Sequence, residues 1–161
     1  MREKVLEKLK EFNIEYKEVA HTPVYTIEEM DALGNIFDGA KICKNLFVRD
    51  QKGKRHFLIV VPEEKRVPLA DVSVKIGSTK LSFASEERLM KYLKLTPGAV
   101  TPLAVINDEN AEVEVVLDEE LKNEKMIGVH PCVNTSTILI TPENLEKYIK
   151  QNNNKMKYIK I

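Results

Sequence analysis

The sequence predicts a single α+β domain in which helices pack on a mixed, mainly antiparallel β-sheet. Runs of β-branched and aromatic residues come in pairs joined by short turns, a pattern that favours antiparallel hairpins. Segments with helical spacing of apolar residues are interspersed among these pairs, whereas a parallel sheet would alternate helices and strands strictly. With 161 residues, 43% of them hydrophobic, the chain is long enough for one buried core. Neither a linker nor an internal repeat marks a boundary, so we expect residues 1–161 to form one domain.

The N-terminal part predicts a helix, a short strand and a second helix. Apolar residues recur at helical spacing in the first dozen residues, at Val5, Leu6, Leu9 and Phe12. This helix is expected to end near Asn13, and residues 16–19 then form an extended piece. Beyond a proline turn, Thr26 and Glu29 make a capping box for a helix that Gly34 would end.

The middle of the chain predicts a hairpin followed by two helices. The β-rich runs 45–49 and 55–61 are separated by five polar, turn-forming residues, which is typical of an antiparallel hairpin. Apolar spacing over residues 69–76 predicts a short helix closed by Gly77. A further helix is expected to begin at Ser85 and to run through residue 93.

The C-terminal half predicts more strands than helices. A stiff, turn-rich loop at residues 96–102 leads into an apolar run, 103–106, that we interpret as a strand. Alternation over residues 113–117 predicts another strand, and residues 118–122 a short acidic helix. The remaining elements are a β-branched strand, a helix that starts at a threonine-proline pair, and an edge strand, at residues 135–140, 141–149 and 155–161.

Charge and cysteine content narrow the class of protein. Lysine plus arginine and aspartate plus glutamate both total 25, so a protein that coats DNA is disfavoured and any RNA contact should be local. Cys43 and Cys132 lack a Cys-x-x-Cys spacing and are expected to be small buried side chains rather than metal ligands. No run approaches the ~18 apolar residues of a membrane span, and the charged N-terminus does not resemble a signal peptide. We therefore expect a cytoplasmic protein with no membrane partner, no metal and no cofactor.

Two segments carry side chains suited to chemistry. Lys44 and Asn45 stand at the mouth of an apolar strand, where a lysine is either a solvated surface charge or a fixed cation at a pocket. Far along the chain, Gly128 and Pro131 bracket His130 in what we interpret as a glycine-hinged loop. Such an imidazole can donate a hydrogen bond, transfer a proton or simply bond to the backbone. His21 and His56 are weaker candidates, because the first lies in a turn and the second at an apparently exposed strand position.

Several standard chemistries find no support. The sequence contains no Gly-x-Ser-x-Gly elbow, no phosphate loop that ends in Gly-Lys-Ser/Thr and no His-Glu-x-x-His metal helix. The acidic residues lie mostly in helix and turn contexts, so no pair of carboxylates stands out as an acid and base.

The sequence resembles the prolyl-tRNA synthetase editing-domain family, and in particular its free-standing members, which hydrolyse alanyl-tRNA for proline. The resemblance covers residues 15–150 and is carried by four segments in consistent order: GAKICKNLFVRD (39–50), LSFA (81–84), TPGAVTP (96–102) and HPCVNT (130–135). It implies a compact α+β fold, a cytoplasmic location and hydrolysis, without a metal, of the ester that joins a wrong amino acid to the terminal adenosine of a tRNA. The implied partners are an aminoacylated proline tRNA and prolyl-tRNA synthetase.

The same resemblance implies roles for individual residues. Lys44, Asn45 and His130 correspond to the catalytic positions. The expected substrate contacts are Gly128, Val129, Pro131, Leu46 and Phe47, and Ile59 and Val61 are further candidates for the pocket wall.

Alternatives remain open at this point. The same pocket can serve another mischarged tRNA, such as cysteinyl-tRNA for proline, because the pocket wall rather than the lysine selects the amino acid. A tRNA-end-binding regulator without catalysis is a second alternative. A Schiff base at Lys44 is a third, and it requires a lysine desolvated enough to lose its proton.

Overall fold

The computed structural model describes residues 1–23, 28 and 34–161. The helices are α1 Arg2–Glu11, α2 Leu69–Ile76, α3 Glu86–Leu93 and α4 Pro142–Gln151. Short 3₁₀ helices lie at Gly34–Phe37, Pro97–Ala99, Pro102–Asn107 and Glu119–Asn123. The strands are β1 Lys17–Ala20, β2 Lys41–Arg49, β3 His56–Pro62, β4 Ser82–Phe83, β5 Val113–Asp118, β6 Ile127–Val129, β7 Ser136–Ile140 and β8 Met156–Ile159. The helix expected from Thr26 to Gly34 falls almost entirely outside the described residues.

One eight-stranded sheet organises the molecule, which confirms the predicted α+β class. The strand order is β1-β7-β6-β2-β3-β5-β8, and β4 pairs with β2 beside this path. The β2–β3 hairpin is antiparallel, as predicted, and so are the β1–β7, β6–β7 and β2–β4 pairs. The β2–β6, β3–β5 and β5–β8 pairs are parallel, which makes the sheet mixed.

The central strand β3 is buried on both faces because helices cover both sides of the sheet. Leu58 and Val60 face a large core that includes α1, α3 and α4, whereas Ile59 and Val61 face a second cluster beneath α2. Each of these four side chains is fully enclosed. The near-continuous apolar sequence of β3 follows from this two-sided burial.

Helix ends agree with the predicted caps. Gly77 adopts φ +70° at the end of α2, a conformation that favours glycine. Ser85 accepts a hydrogen bond from the Arg88 backbone N–H at the start of α3, and Thr141 accepts one from Asn144 at the start of α4.

The strand predicted at residues 103–106 is wrong, because these residues lie in the 3₁₀ helix Pro102–Asn107. Thr101 caps this helix, and Pro102 fits its first turn, where a missing N–H does no harm. A side chain of α4 satisfies a carbonyl group of this 3₁₀ helix, because Tyr148 Oη donates to Leu103 O at 2.7 Å. A short, fully buried apolar run has the same pattern in a strand and in a helix, and periodicity therefore misassigned it.

The glycine-hinged loop predicted at residues 128–131 is also corrected. Gly128 lies in β6, between Ile42 of β2 and Leu139 of β7. A Cβ at this position would lie 2.5 Å from Ile42 Cδ1 and 3.0 Å from Thr137 Cγ2. Glycine is therefore needed here for close packing across the sheet and not as a hinge.

Candidate active site

The lateral edge of β2 is interrupted at the residues singled out by sequence. On the side away from β3, Lys41 and Ile42 pair with β6, whereas Val48 and Arg49 pair with β4. Between these two partners, residues 43–47 have no strand neighbour on this side among the described parts of the chain. We call residues 44–46 and the space beside them the β2 gap.

Lys44 lies on the α2 side of the sheet. Side chains alternate along a strand, so Lys44 shares its face with Ile42 and Leu46. Ile42 packs with Phe37, and Leu46 with the cluster under α2, so Lys44 stands between two apolar clusters and is itself partly buried. Such surroundings hold the stem of a lysine while its ammonium group reaches the surface.

A carboxylate balances the cations at this edge. Lys41 Nζ lies 3.2 Å from Glu64 Oε1. The pKa of Glu64 is lowered, chiefly by a hydrogen bond to its own backbone and further by Lys41 and, more weakly, by the charge of Lys44. Glu64 therefore takes Lys41 as its direct partner and senses Lys44 only at longer range.

Asn45 points to the opposite side of β2 and connects it to the loop 96–102. Its Nδ2 donates to Val100 O at 3.1 Å, whereas its Oδ1 is buried with no hydrogen-bond partner among the described residues. Asn45 also lines a cavity of about 200 Å³ together with Leu46, Phe47 and Val100. Because Leu46 faces the Lys44 side and Asn45 the other, this cavity reaches round the edge of β2 through the gap.

His130 follows directly after β6, at the end of the β2 gap where β6 pairs with β2. The parallel register ends where Ile42 pairs with Gly128, so Lys44 and His130 each lie two residues beyond the last pair of β2 and β6. The Nδ1 atom of His130 lies 3.1 Å from Ser136 O. A carbonyl only accepts, so Nδ1 carries the proton and Nε2 keeps a lone pair.

Burial keeps the His130 imidazole neutral. The pKa of His130 is lowered mainly by desolvation and slightly by His21, and the Ser136 hydrogen bond opposes this shift. The Nε2 atom is therefore a hydrogen-bond acceptor at neutral pH.

His21 belongs to the same site, which the sequence did not indicate. Its ring lies 6.5 Å from that of His130 between centroids and edge-on to Phe37. The Nε2 of His21 lies 2.8 Å from Thr137 Oγ1, and its Nδ1 is 2.7 Å from Thr22 O. The pairing of β1 with β7 brings His21 here, and no local pattern signals that pairing.

His56 is not at an exposed strand position, and that expectation is wrong. The side chain is 1% exposed, with its ring between Phe47 and Tyr92. Arg88 Nη1 lies 3.0 Å from His56 Nε2. Burial, assisted by the charge of Arg88, lowers the pKa of His56 to about 4.

The other predicted contact residues divide into two groups. Leu46 and Phe47 line the cavity beside the β2 gap. Val129 and Pro131 are buried next to His130, and Ile59 and Val61 are enclosed beneath α2. The first group thus borders open space, while the second supports the strands that carry the site.

Two kinds of feature are absent from the described ranges 1–23, 28 and 34–161. Within them, no three His, Cys, Asp or Glu side chains cluster as metal ligands do. None of the helices resolved there has the length and apolar character needed to cross a membrane.

The sequence model of the aminoacyl-tRNA editing domain matches residues 21–148. The chain belongs to this editing-domain family. The chain is 49% identical to the prolyl-tRNA editing protein ProX of Acetoanaerobium sticklandii, over 99% of this chain and 97% of that protein. It is 35% identical to the prolyl-tRNA synthetase associated domain-containing protein 1 of Danio rerio, over 94% of this chain and 82% of that protein.

Solved structures share the fold of this editing-domain protein. One, named as a proposed trans-editing enzyme for prolyl-tRNA synthetase, superposes with a TM-score of 0.73 at 19% identity and covers 99% of this chain and 96% of its own. The family resemblance predicted from the sequence is thereby confirmed.

Proposed function

We propose that this editing-domain protein is a trans-editing hydrolase that deacylates mischarged tRNA for proline, with alanine as the amino acid removed. The name of the ProX relative and the family match support the reaction class. The geometric observation that carries the proposal is that Lys44 and His130 each lie two residues beyond the last pair of the adjacent strands β2 and β6, at the β2 gap. An aminoacyl ester that enters the gap meets a cation on one strand and a neutral imidazole on the next.

Lys44 supplies positive charge where the substrate carries or develops negative charge. An aminoacyl ester is already activated, so orientation and stabilisation of the carbonyl oxygen contribute more than a covalent nucleophile would. In this proposal the ammonium group binds the terminal phosphate or the carbonyl oxygen. The surrounding apolar clusters reduce the competition from water and so strengthen the interaction.

His130 contacts the aminoacyl group. With Nδ1 held by Ser136 O, the lone pair of Nε2 has a fixed direction. It can accept a hydrogen bond from the amino group of the bound amino acid. A hydroxyl of the terminal ribose assists the attacking water, as the family resemblance implies.

Asn45 acts on the loop rather than on the carbonyl. Its hydrogen bond to Val100 O fixes the distance between β2 and the loop 96–102, which forms one wall of the cavity. Asn45 thus positions the ester by holding this wall in place.

The experiment is deacylation of three charged proline tRNAs, carrying alanine, cysteine or proline, by the intact chain and by Lys44→Ala. We expect rapid release of alanine, little release of proline, and a loss of about 100-fold or more in the variant. Faster release of cysteine than of alanine would assign the enzyme to the cysteinyl substrate. An inert intact chain, or a variant as fast as the intact chain, would refute the proposal.

Borohydride trapping during turnover tests a Schiff base at Lys44, and we expect no adduct. Co-purification with prolyl-tRNA synthetase is the corresponding test of that partner.

A further inference from the structure

An exposed aromatic ring borders the β2 gap and has no role in the proposed hydrolysis. Phe83 of β4 is 65% exposed, although most large apolar side chains of the described residues are buried. Its backbone is fixed by pairing with Val48 of β2, and the next residue, Ala84, donates its N–H to Phe47 O. The ring is therefore presented to solvent by a strand and not by a loose loop.

Phe83 lies on the same side of the sheet as Lys44. Directly paired residues share a face of the sheet, so the Phe83 side chain lies on the same face as Val48. Because side chains alternate along β2, Leu46 and Lys44 lie on this face as well. The cavity of about 200 Å³ at the gap is lined by both Phe83 and Leu46, together with Pro97 of the opposite loop. Two flat apolar surfaces, the Phe83 ring and the Pro97 ring, thus border one cavity, which is also lined by Asn45, the residue after Lys44.

The polar groups at this cavity are hydrogen-bond acceptors. Asn45, which lines it, has the buried Oδ1 atom that lacks a donor, while its Nδ2 is taken by Val100 O. Glu86 lines the same cavity and is exposed at the start of α3. A ligand that brings an N–H group would complete this set, because a buried acceptor left unpaired is unfavourable.

We infer that this cavity binds the base of the nucleoside that carries the ester, with adenine stacked on Phe83 and its exocyclic amine turned toward the acceptors of Asn45 and Glu86. The inference rests on the proposed function, since it places the nucleoside of the same substrate. Base and ester are attached to one ribose ring, so a base held at Phe83, opposite Val48, directs the ester along the β2 gap toward Lys44. Exposed aromatic side chains are the usual platforms on which proteins stack unpaired bases.

The shape of the cavity favours a base over the amino acid. Discrimination between small amino acids needs an enclosed pocket, because a single methylene changes binding only slightly. The Phe83 ring is mostly in solvent and cannot exclude a bulkier side chain. A planar base requires only one face of contact and tolerates an open edge.

The test uses alanyl esters of two short RNA hairpins that differ only in the terminal base, adenine or uracil. The intact chain should cleave the adenine ester with about tenfold higher kcat/KM, because uracil presents a carbonyl where adenine presents its amine. Phe83→Ala should lower kcat/KM about tenfold for the adenine ester and by less for the uracil ester, because the larger purine loses more stacking area. Phe83→Tyr, which keeps the ring, should retain the preference. Val74→Ala, which truncates an exposed apolar side chain on α2, is the matched control and should change neither substrate.

A second readout does not depend on catalysis. Binding of the two uncharged hairpins, measured by titration, should show the same adenine preference and its loss in Phe83→Ala. If the intact chain hydrolyses neither ester, the proposed function fails, and this titration alone decides whether the base site exists. Equal losses of Phe83→Ala on both hairpins would overturn the inference. It would also be overturned if this variant altered the ratio of alanine to proline release without any effect of the terminal base.

Discussion

His130 and His56 are both largely buried histidines at strand ends, yet their rings have different neighbours. Desolvation lowers the pKa of both imidazoles. At His56, Phe47 and Tyr92 cover the ring and Arg88 occupies Nε2. At His130, the contact with Ser136 O uses Nδ1 and leaves Nε2 available beside the β2 gap. A lowered pKa is therefore shared by both histidines, and the contacts around each ring are what distinguish His130 from His56.

The largest expected effect separates the two histidines by activity. His130→Asn keeps a donor near the position of Nδ1 but has no counterpart of Nε2, so kcat/KM for alanyl-tRNA should fall about 100-fold. His56→Asn should leave kcat/KM roughly unchanged at a temperature where both variants are folded. Single-turnover deacylation measures both, and similar losses in the two variants would remove the distinction.

The second expected effect is on the free energy of unfolding, which should fall more when His56 is replaced than when His130 is replaced. His56→Ala removes a ring enclosed by two aromatic side chains together with its contact to Arg88, so the free energy of unfolding should fall by about 3 kcal/mol. His130→Ala should lower it by less than about 1.5 kcal/mol, because the side chain is only partly buried. Urea denaturation gives both values, and a larger loss at His130 would contradict the comparison.

A smaller effect is a pH dependence of stability that originates at His56. Its pKa is about 4 in the folded protein and near 6.5 in an unfolded chain, so between these values the unfolded state binds more protons. The contribution of His56 to stability is complete above pH 6.5 and is lost as the pH falls toward 4, with about 2 kcal/mol already lost at pH 5. Urea denaturation at several pH values should show this slope, and His56→Gln should flatten it. An unchanged slope in that variant would assign the titration to other groups.

The smallest expected effect concerns the strand that carries His130. Gly128→Ala introduces a Cβ 2.5 Å from Ile42 Cδ1, and we expect a loss of about 1 to 2 kcal/mol. Ile42→Val removes that Cδ1 atom, so the double variant should recover part of the loss. No recovery in thermal unfolding would show that Thr137, rather than Ile42, is the limiting contact.

Local signals predicted much of this fold. The β2–β3 hairpin and the helices capped by Ser85 and Thr141 follow from turn and cap residues, whose effect acts within a few residues of the chain. Residues 103–106 were misassigned because their apolar pattern reflects complete burial and not the backbone conformation. The two-residue strand β4 is too short to leave a pattern.

The site was less accessible to pattern alone. Lys44 and Asn45 were singled out by the family resemblance, since a lysine before an apolar strand is ordinarily a surface charge. The sequence predicts a hinge at Gly128 because a glycine required for a positive φ cannot be told by sequence from a glycine required for close packing. His21 approaches His130 only through the β1–β7 pairing, and the burial of His56 depends on Tyr92 of α3. These contacts join distant parts of the chain, where sequence spacing carries no information.

The central claim is that Lys44 and His130 act together on one ester at the β2 gap. A double-mutant cycle with Lys44→Ala, His130→Asn and the combined variant, measured as kcat/KM for alanyl-tRNA of proline, tests it most directly. Residues that act as a unit should be non-additive, so the combined variant should be little slower than the slower single variant. Losses that multiply in full would show two independent contributions, and a Lys44→Ala variant with full activity would contradict the assignment of the site.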